Sequence, residues 1–97
     1  MSKVSMRTVE TITYGECQWD GPENAARIER ARVLFSDQNK VTELLKFCYL
    51  TNGRHARTHL TIEQEDFVEL FGDAVENNVF TPEVLKAIFK ILKKRFE

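Results

Sequence analysis

Apolar residues at every second position are the first feature of the chain. Residues 4–14 are rich in Val, Thr, Ile and Tyr, and most of their apolar residues share one face of an extended chain, although Glu10 falls on the same face. We therefore predict a strand over about residues 6–14. Residues 16–19 form a candidate return strand after Gly15, because a lone strand leaves its backbone groups unpaired.

A helical pattern follows residues 20–24, which have the composition of a turn and a helix start. Pro22 suits the first position of a helix. Ile28, Ala31 and Phe35 then recur at helical spacing, and charged residues occupy most of the remaining positions. This pattern predicts helix one over about residues 22–35.

A second helix is predicted over about residues 37–51, because Asn52-Gly53 is a common helix stop. Cys48 falls on its apolar face, which predicts a core residue. The other residues of that face are Val41, Leu44 and Leu45. Two large side chains lie off that face and are candidates for exposure, Phe47 and Leu50.

Two more helices are predicted in the last third of the chain. Thr61 and Gln64 have the spacing of a capping box, which opens helix three over about residues 61–77. Thr81-Pro82 opens helix four, which runs to about residue 96. The fold class predicted from all these elements is α+β, with an N-terminal strand or hairpin packed on about four helices.

Length and composition indicate one domain over residues 1–97. The hydrophobic fraction of 42% is enough for a core without disulfides. We expect Cys17 and Cys48 to be reduced thiols in a cytoplasmic protein. We expect no membrane association, because no apolar run is long enough to span a bilayer and the N-terminus lacks the apolar stretch of a signal peptide.

The formal net charge of −1 hides an uneven distribution. Residues 61–80 carry six acidic residues and no Lys or Arg. On helix three, four of them form a stripe opposite the apolar side, at spacings of three, four and three residues. This acidic stripe comprises Asp66, Glu69, Asp73 and Glu76, with Glu63 beside its start. The simplest interpretation is a solvated face; the functional one is a binding surface, because unrelieved like charges at this spacing cost stability.

Helix four carries the opposite charge, with Lys86, Lys90, Lys93 and Lys94 along its polar side. Ion pairs with the acidic stripe across a helical hairpin are the simplest explanation of both faces. The apolar part of helix four is wider than a surface helix needs. That width predicts that helix four is buried on two sides, either by the other helices or by a second copy of the chain. A homodimer or a partner-binding patch is therefore expected.

Residues 52–60 hold both histidines of the chain, His55 and His59, between two predicted helices. In a loop their spacing has no metal-binding geometry, and their separations from Cys17 and Cys48 match no common zinc module. We therefore expect no cofactor and no metal. A nucleophile pair of Cys48 with a histidine is the weakest interpretation, because Cys48 is predicted to be core. The sequence predicts a protein that is not an enzyme.

Phosphate contact is a further alternative for this loop. Arg54 and Arg57 suit bidentate phosphate binding, but two arginines supply little affinity. With Lys86 and Lys90 of helix four they define the alternative function, a small nucleic-acid-binding regulator.

The acidic stripe in a 97-residue chain without a catalytic motif resembles, in format, the small phage-encoded inhibitors of bacterial immunity of the anti-CRISPR and anti-restriction type. Some of these present ordered acids as a mimic of nucleic acid, although strong mimics are far more acidic overall. The resemblance implies a non-enzymatic inhibitor or regulator. Its acidic stripe would meet a basic, nucleic-acid-binding groove on a partner protein.

Overall fold

A computed structural model describes residues 6–37, 39–55 and 60–97, and these form two compact units that divide after Gln64. Among the described residues, the first unit contains five antiparallel strands and the second two helices. The strands are β1 (Met6–Gln18), β2 (Ala25–Phe35), β3 (Lys40–Thr51), β4 (Arg54–His55) and β5 (Leu60–Ile62), and the helices are α1 (Gln64–Glu76) and α2 (Pro82–Phe96). The predicted α+β fold with about four helices is therefore wrong.

The predicted helices one and two are both strands, β2 and β3. Ala31 and Phe35 lie on one face of β2 and Ile28 on the other, so their helical spacing was coincidental. The β3 sequence is rich in the Val, Thr, Phe and Tyr that favour strands. Pairing of the two strands over their whole length outweighs the local helical pattern.

The strand predicted over residues 6–14 is confirmed as the first part of β1. The predicted return strand at residues 16–19 is wrong, because β1 continues to Gln18. Residues 19–24 form the turn into β2, in which Gly21 has a φ of 75° and the Trp19 N–H donates to the Asn24 carbonyl at 3.0 Å. Pro22 lies in this turn and begins no helix.

Asn52-Gly53 is a hairpin turn and not a helix stop. Thr51 pairs with Arg54, so Asn52 and Gly53 are the two turn residues, with φ values of 53° and 77°. Positive φ at both positions is what a type I′ hairpin requires. The Gly53 N–H also donates to the Glu23 carbonyl at 2.9 Å, which ties this turn to the β1–β2 turn.

The sheet has the strand order β1-β2-β3, with β4 and β5 both paired to the far side of β3. In a flat sheet, β1 and β5 would lie about 14 Å apart, three strand spacings. The Thr61 hydroxyl nevertheless donates to the Met6 Sδ at 3.4 Å, and the Lys46 Nζ donates to the Thr8 hydroxyl at 3.2 Å. The sheet therefore curls, aided by register shifts after Thr8 and Thr11 in β1.

The inner side of the curl, here called the concave face, holds the core of the first unit. Alternate residues of β2 and β3 are buried on it: Ala25, Glu29, Ala31, Val33, Leu44, Cys48 and Leu50. Cys48 is buried as predicted. Leu50, a predicted exposed residue, is buried instead, because strand alternation places it two positions from Cys48 on the same face.

The helical unit follows its sequence signals more closely. The Thr81 hydroxyl caps α2 by accepting a hydrogen bond from the Val84 N–H at 3.3 Å, and Pro82 begins the helix as predicted. The capping box of Thr61 and Gln64 is wrong, because Thr61 belongs to β5 and α1 begins at Gln64. No helix in the described part of the chain is long and apolar enough to cross a membrane.

Truncation of Leu44 tests the position of the core. Leu44 is 5% exposed and packs with Ala31 and Val33, so Leu44→Ala is expected to reduce the free energy of unfolding by about 2–5 kcal/mol. Val41→Ala is the control on the same strand, because Val41 is 47% exposed and should cost no more than about 0.5 kcal/mol. Urea unfolding of the full chain measures both. Equal reductions of the free energy of unfolding in Leu44→Ala and Val41→Ala would contradict the assignment of these residues to a buried and an exposed face of β3.

Candidate functional site

The acidic stripe lies on α1, and all four of its side chains are exposed. Asp66, Glu69, Asp73 and Glu76 all belong to α1, and Glu63 precedes it. Ion pairs between described residues occur only within the sheet unit, so none joins the stripe to a cation of α2. The predicted ion pairs between the acidic stripe and the lysines of helix four are therefore not found among the described residues.

α2 presents both cations and apolar side chains to solvent. Lys86, Lys90, Lys93 and Lys94 are exposed, and so are large apolar residues such as Phe89 and Ile91. Phe96 is 84% exposed. Within this unit, Phe71 contacts Phe67 and Phe80, with ring centroids 6.0 and 5.4 Å apart. No side chain of α2 is buried, so burial of this helix by other described residues is not observed. The homodimer remains a prediction.

A second candidate site lies on the concave face, where three side chains from three neighbouring strands meet. Glu29 is on β2, Cys48 on β3 and His55 on β4. Cys48 pairs with Arg27, two residues before Glu29, and His55 pairs with Leu50, two residues after Cys48. The three therefore form a diagonal row, and their ligating atoms all lie within 4.8 Å of one another.

Glu29 is the buried charged residue of this face, at 2% exposed. Its carboxylate accepts from the Thr11 hydroxyl at 3.5 Å and from the Cys48 thiol at 3.6 Å. The Arg27 Nη1 lies 3.7 Å away. Nitrogen and oxygen donors normally lie within about 2.5–2.9 Å of a carboxylate, so Thr11 and Arg27 compensate this buried charge only weakly.

The Cys48 thiol is poorly suited to nucleophilic catalysis, although the fold places it beside His55. Burial raises its pKa above the ordinary cysteine value, and the nearby Glu29 carboxylate raises that pKa further. A nucleophilic cysteine needs the opposite shift, which generates thiolate at neutral pH. The geometry therefore favours Cys48 as a ligand or a core residue over Cys48 as a nucleophile.

The residues of the alternative nucleic-acid function are spread over both units. Arg54 is exposed at the β3–β4 turn, and Lys86 and Lys90 lie on α2. Arg57 and His59 lie outside the described residues. Among the described basic residues of this set, only Lys86 and Lys90 lie on the same element.

An open apolar groove lies on the face of the sheet opposite Glu29. Its volume is about 740 Å³, and its side chains come from four strands: Cys17, Ala26, Ile28, Phe47, Tyr49 and Leu60. Phe47, a predicted exposed residue, is half-buried in it. The lining also includes Glu16 and Arg27, which form an ion pair with Oε1 and Nε 2.7 Å apart, so the groove offers mainly apolar and aromatic contact beside one charged pair.

One sequence signal would have brought His55 and Cys48 together. Asn-Gly is a preferred residue pair for a two-residue type I′ hairpin turn. A two-residue turn at Asn52-Gly53 pairs Leu50 with His55, which puts His55 on the face of Cys48. Glu29 has no comparable local signal, because its position depends on the register of β2 against β3.

No protein-family model matches the chain, and the comparisons with curated proteins and with solved structures found no similar protein.

The two thiols are expected to differ strongly in reactivity in metal-free protein. Cys17 is exposed, whereas Cys48 is 6% exposed and its raised pKa leaves little thiolate at pH 8. A thiol-specific reagent should therefore modify one thiol per native chain rapidly and the second only after unfolding. Cys17→Ser is the control that leaves Cys48 alone. Rapid modification of this native variant would show that Cys48 is accessible.

Proposed function

We propose that this chain is a non-enzymatic regulator that binds a partner protein through the acidic stripe of α1. The observation that carries the proposal is the exposed stripe of Asp66, Glu69, Asp73 and Glu76, which has no ion pair among the described residues. Like charges three and four residues apart on a helix oppose its formation by a few tenths of a kcal/mol per pair. A basic partner surface removes that repulsion.

The spacing of the stripe supports a partner that normally holds nucleic acid. Successive acids rise by about 4.5–6 Å along the helix axis. Phosphates along one DNA strand advance by about 3.4 Å per nucleotide along the axis, and farther through space. A groove of Lys and Arg side chains that binds a phosphate backbone therefore has the charge and a comparable repeat to accept α1. This proposal agrees with the resemblance to anti-CRISPR and anti-restriction inhibitors, and places the protein in the cytoplasm.

The exposed apolar side chains of the helical unit supply the non-polar part of such an interface. Val68 and Leu70 of α1 are exposed apolar side chains of the same helix. Charge complementarity mainly raises the association rate and the specificity, whereas apolar burial supplies much of the affinity. The alternative function is nucleic-acid binding by Arg54, Arg57, Lys86 and Lys90, and the experiment below separates the two.

Neutralising two acids of the stripe is expected to weaken partner binding. Each exposed charge pair contributes about 0.2–1 kcal/mol, so Glu69→Gln with Asp73→Asn should reduce affinity by roughly two- to thirtyfold. The immobilised chain is exposed to a nuclease-treated bacterial lysate. The captured protein should be released by salt, which screens exposed charges over about 8–10 Å, and by duplex DNA that competes for its basic groove.

The matched control is Glu83→Gln with Glu97→Gln, which removes two exposed acids of the same unit outside the stripe. This variant should retain binding, and circular dichroism should show that both variants keep their helices. Capture that survives loss of the stripe, or that DNA cannot displace, would contradict the proposal. A gel shift showing micromolar binding of duplex DNA by the chain itself, lost on Arg54→Ala and Lys86→Ala, would establish the alternative instead.

A further inference from the structure

The cluster on the concave face has the composition of a transition-metal site. We propose that Glu29, Cys48 and His55 bind one zinc ion, with a water molecule as the fourth ligand. Their ligating atoms lie within 4.8 Å of one another, on three adjacent strands. The expectation that the chain binds no metal depended on placing His55 in a loop between two helices, and His55 belongs to β4.

The separation between the Cys48 and Glu29 ligand atoms fits tetrahedral coordination. Zinc bonds of about 2.3 Å to sulfur and about 2.1 Å to oxygen, at a tetrahedral angle, place the two ligand atoms about 3.6 Å apart. The Cys48 Sγ and the Glu29 Oε2 lie 3.6 Å apart. The same separation suits a thiol–carboxylate hydrogen bond in the metal-free protein. Zinc therefore replaces the thiol proton, which passes to solvent.

The charge balance of the concave face also favours an ion. The buried Glu29 carboxylate has only contacts of 3.5–3.7 Å to described groups. The Arg27 guanidinium is directed mainly to Glu16, with its Nε 2.7 Å from the Glu16 Oε1, and it stacks on the Tyr14 ring at 4.2 Å. Zinc bound by one carboxylate, one thiolate and one neutral imidazole forms a set of zero net charge. The Glu29 carboxylate then has a direct cationic ligand in addition to Arg27 at 3.7 Å and its cross-strand partner Lys46.

The donor atoms select the class of metal. A thiolate and an imidazole suit zinc and similar transition metals, whereas magnesium and calcium prefer oxygen ligands. Glu29 and Cys48 are buried, but His55 is exposed, so an ion has access from solvent. Three protein ligands leave the fourth tetrahedral position to water. The site is independent of the acidic stripe, because it lies within the sheet unit.

Titration of the full, chelator-treated chain with zinc chloride tests the site by calorimetry. One zinc ion per chain is expected, and magnesium chloride should give no binding heat. Cobalt in place of zinc should show thiolate-to-cobalt charge-transfer absorption. Cys48→Ser should remove that absorption, and Cys48→Ser and His55→Ala should each weaken zinc binding by at least about tenfold. Cys17→Ser is the matched control, because it removes the other thiol, and it should change neither readout.

If the unaltered chain does not bind one zinc ion in the calorimetric titration, the proposal is wrong, whatever the variants show. Binding that persists at full strength in Cys48→Ser and His55→Ala would overturn it as well. Cobalt absorption that depends on Cys17 would assign the ion to a different site. Circular dichroism of each metal-free variant shows whether a loss of zinc binding reflects a missing ligand or an unfolded sheet. If a variant is unfolded, the presence or absence of thiolate-to-cobalt absorption in the unaltered chain tests the site instead.

Discussion

The antiparallel pairing of β2 with β3 is the constraint on which the sheet unit depends. Ala31 opposite Leu44 sets the register, and with it the identity of every side chain on the concave face. A shift by one residue would send Leu44 and Cys48 to solvent and bring Leu45 and Phe47 inward. The core and the polar cluster therefore form together, because both are consequences of one register.

The Asn52-Gly53 turn extends this register to β4. A two-residue turn leaves no freedom in pairing, so Leu50 must lie opposite His55. The contact between the Gly53 N–H and the Glu23 carbonyl fixes the turn against the β1–β2 turn. A histidine that looks like part of a polar loop in the sequence is thereby held beside a buried thiol and a buried carboxylate. The two-residue turn thus determines the position of His55 on the concave face, whereas the register of β2 against β3 determines those of Glu29 and Cys48.

Much of the helical unit could be predicted from sequence, and the centre of the sheet could not. The start of α2 at Pro82 depends on the local cap of Thr81, and the exposed acids of α1 follow from helical periodicity alone. The region of β2 and β3 carries apolar residues on both faces, so it satisfies a helical and a strand period at once. Only the long-range pairing of the two strands decides between them, and that pairing leaves no local signal.

The two units separate the two kinds of chemistry in this chain. The sheet unit holds its candidate ligands on the concave face, with Glu29 and Cys48 buried and His55 exposed, and the proposed zinc ion would add a cationic ligand to Glu29. The helical unit carries exposed charge and exposed apolar side chains, which suit recognition of another macromolecule. Zinc binding by the sheet unit and partner binding by the acidic stripe do not depend on each other, so separate observations test them.

Nuclear Overhauser contacts in the full chain test the register most directly. This register predicts cross-strand contacts between Ala31 and Leu44 and between Leu50 and His55, together with contacts from the His55 ring to the β protons of Cys48. Helical contacts between residues three apart within 25–35 and 40–51, without these cross-strand contacts, would contradict the register and the cluster that depends on it.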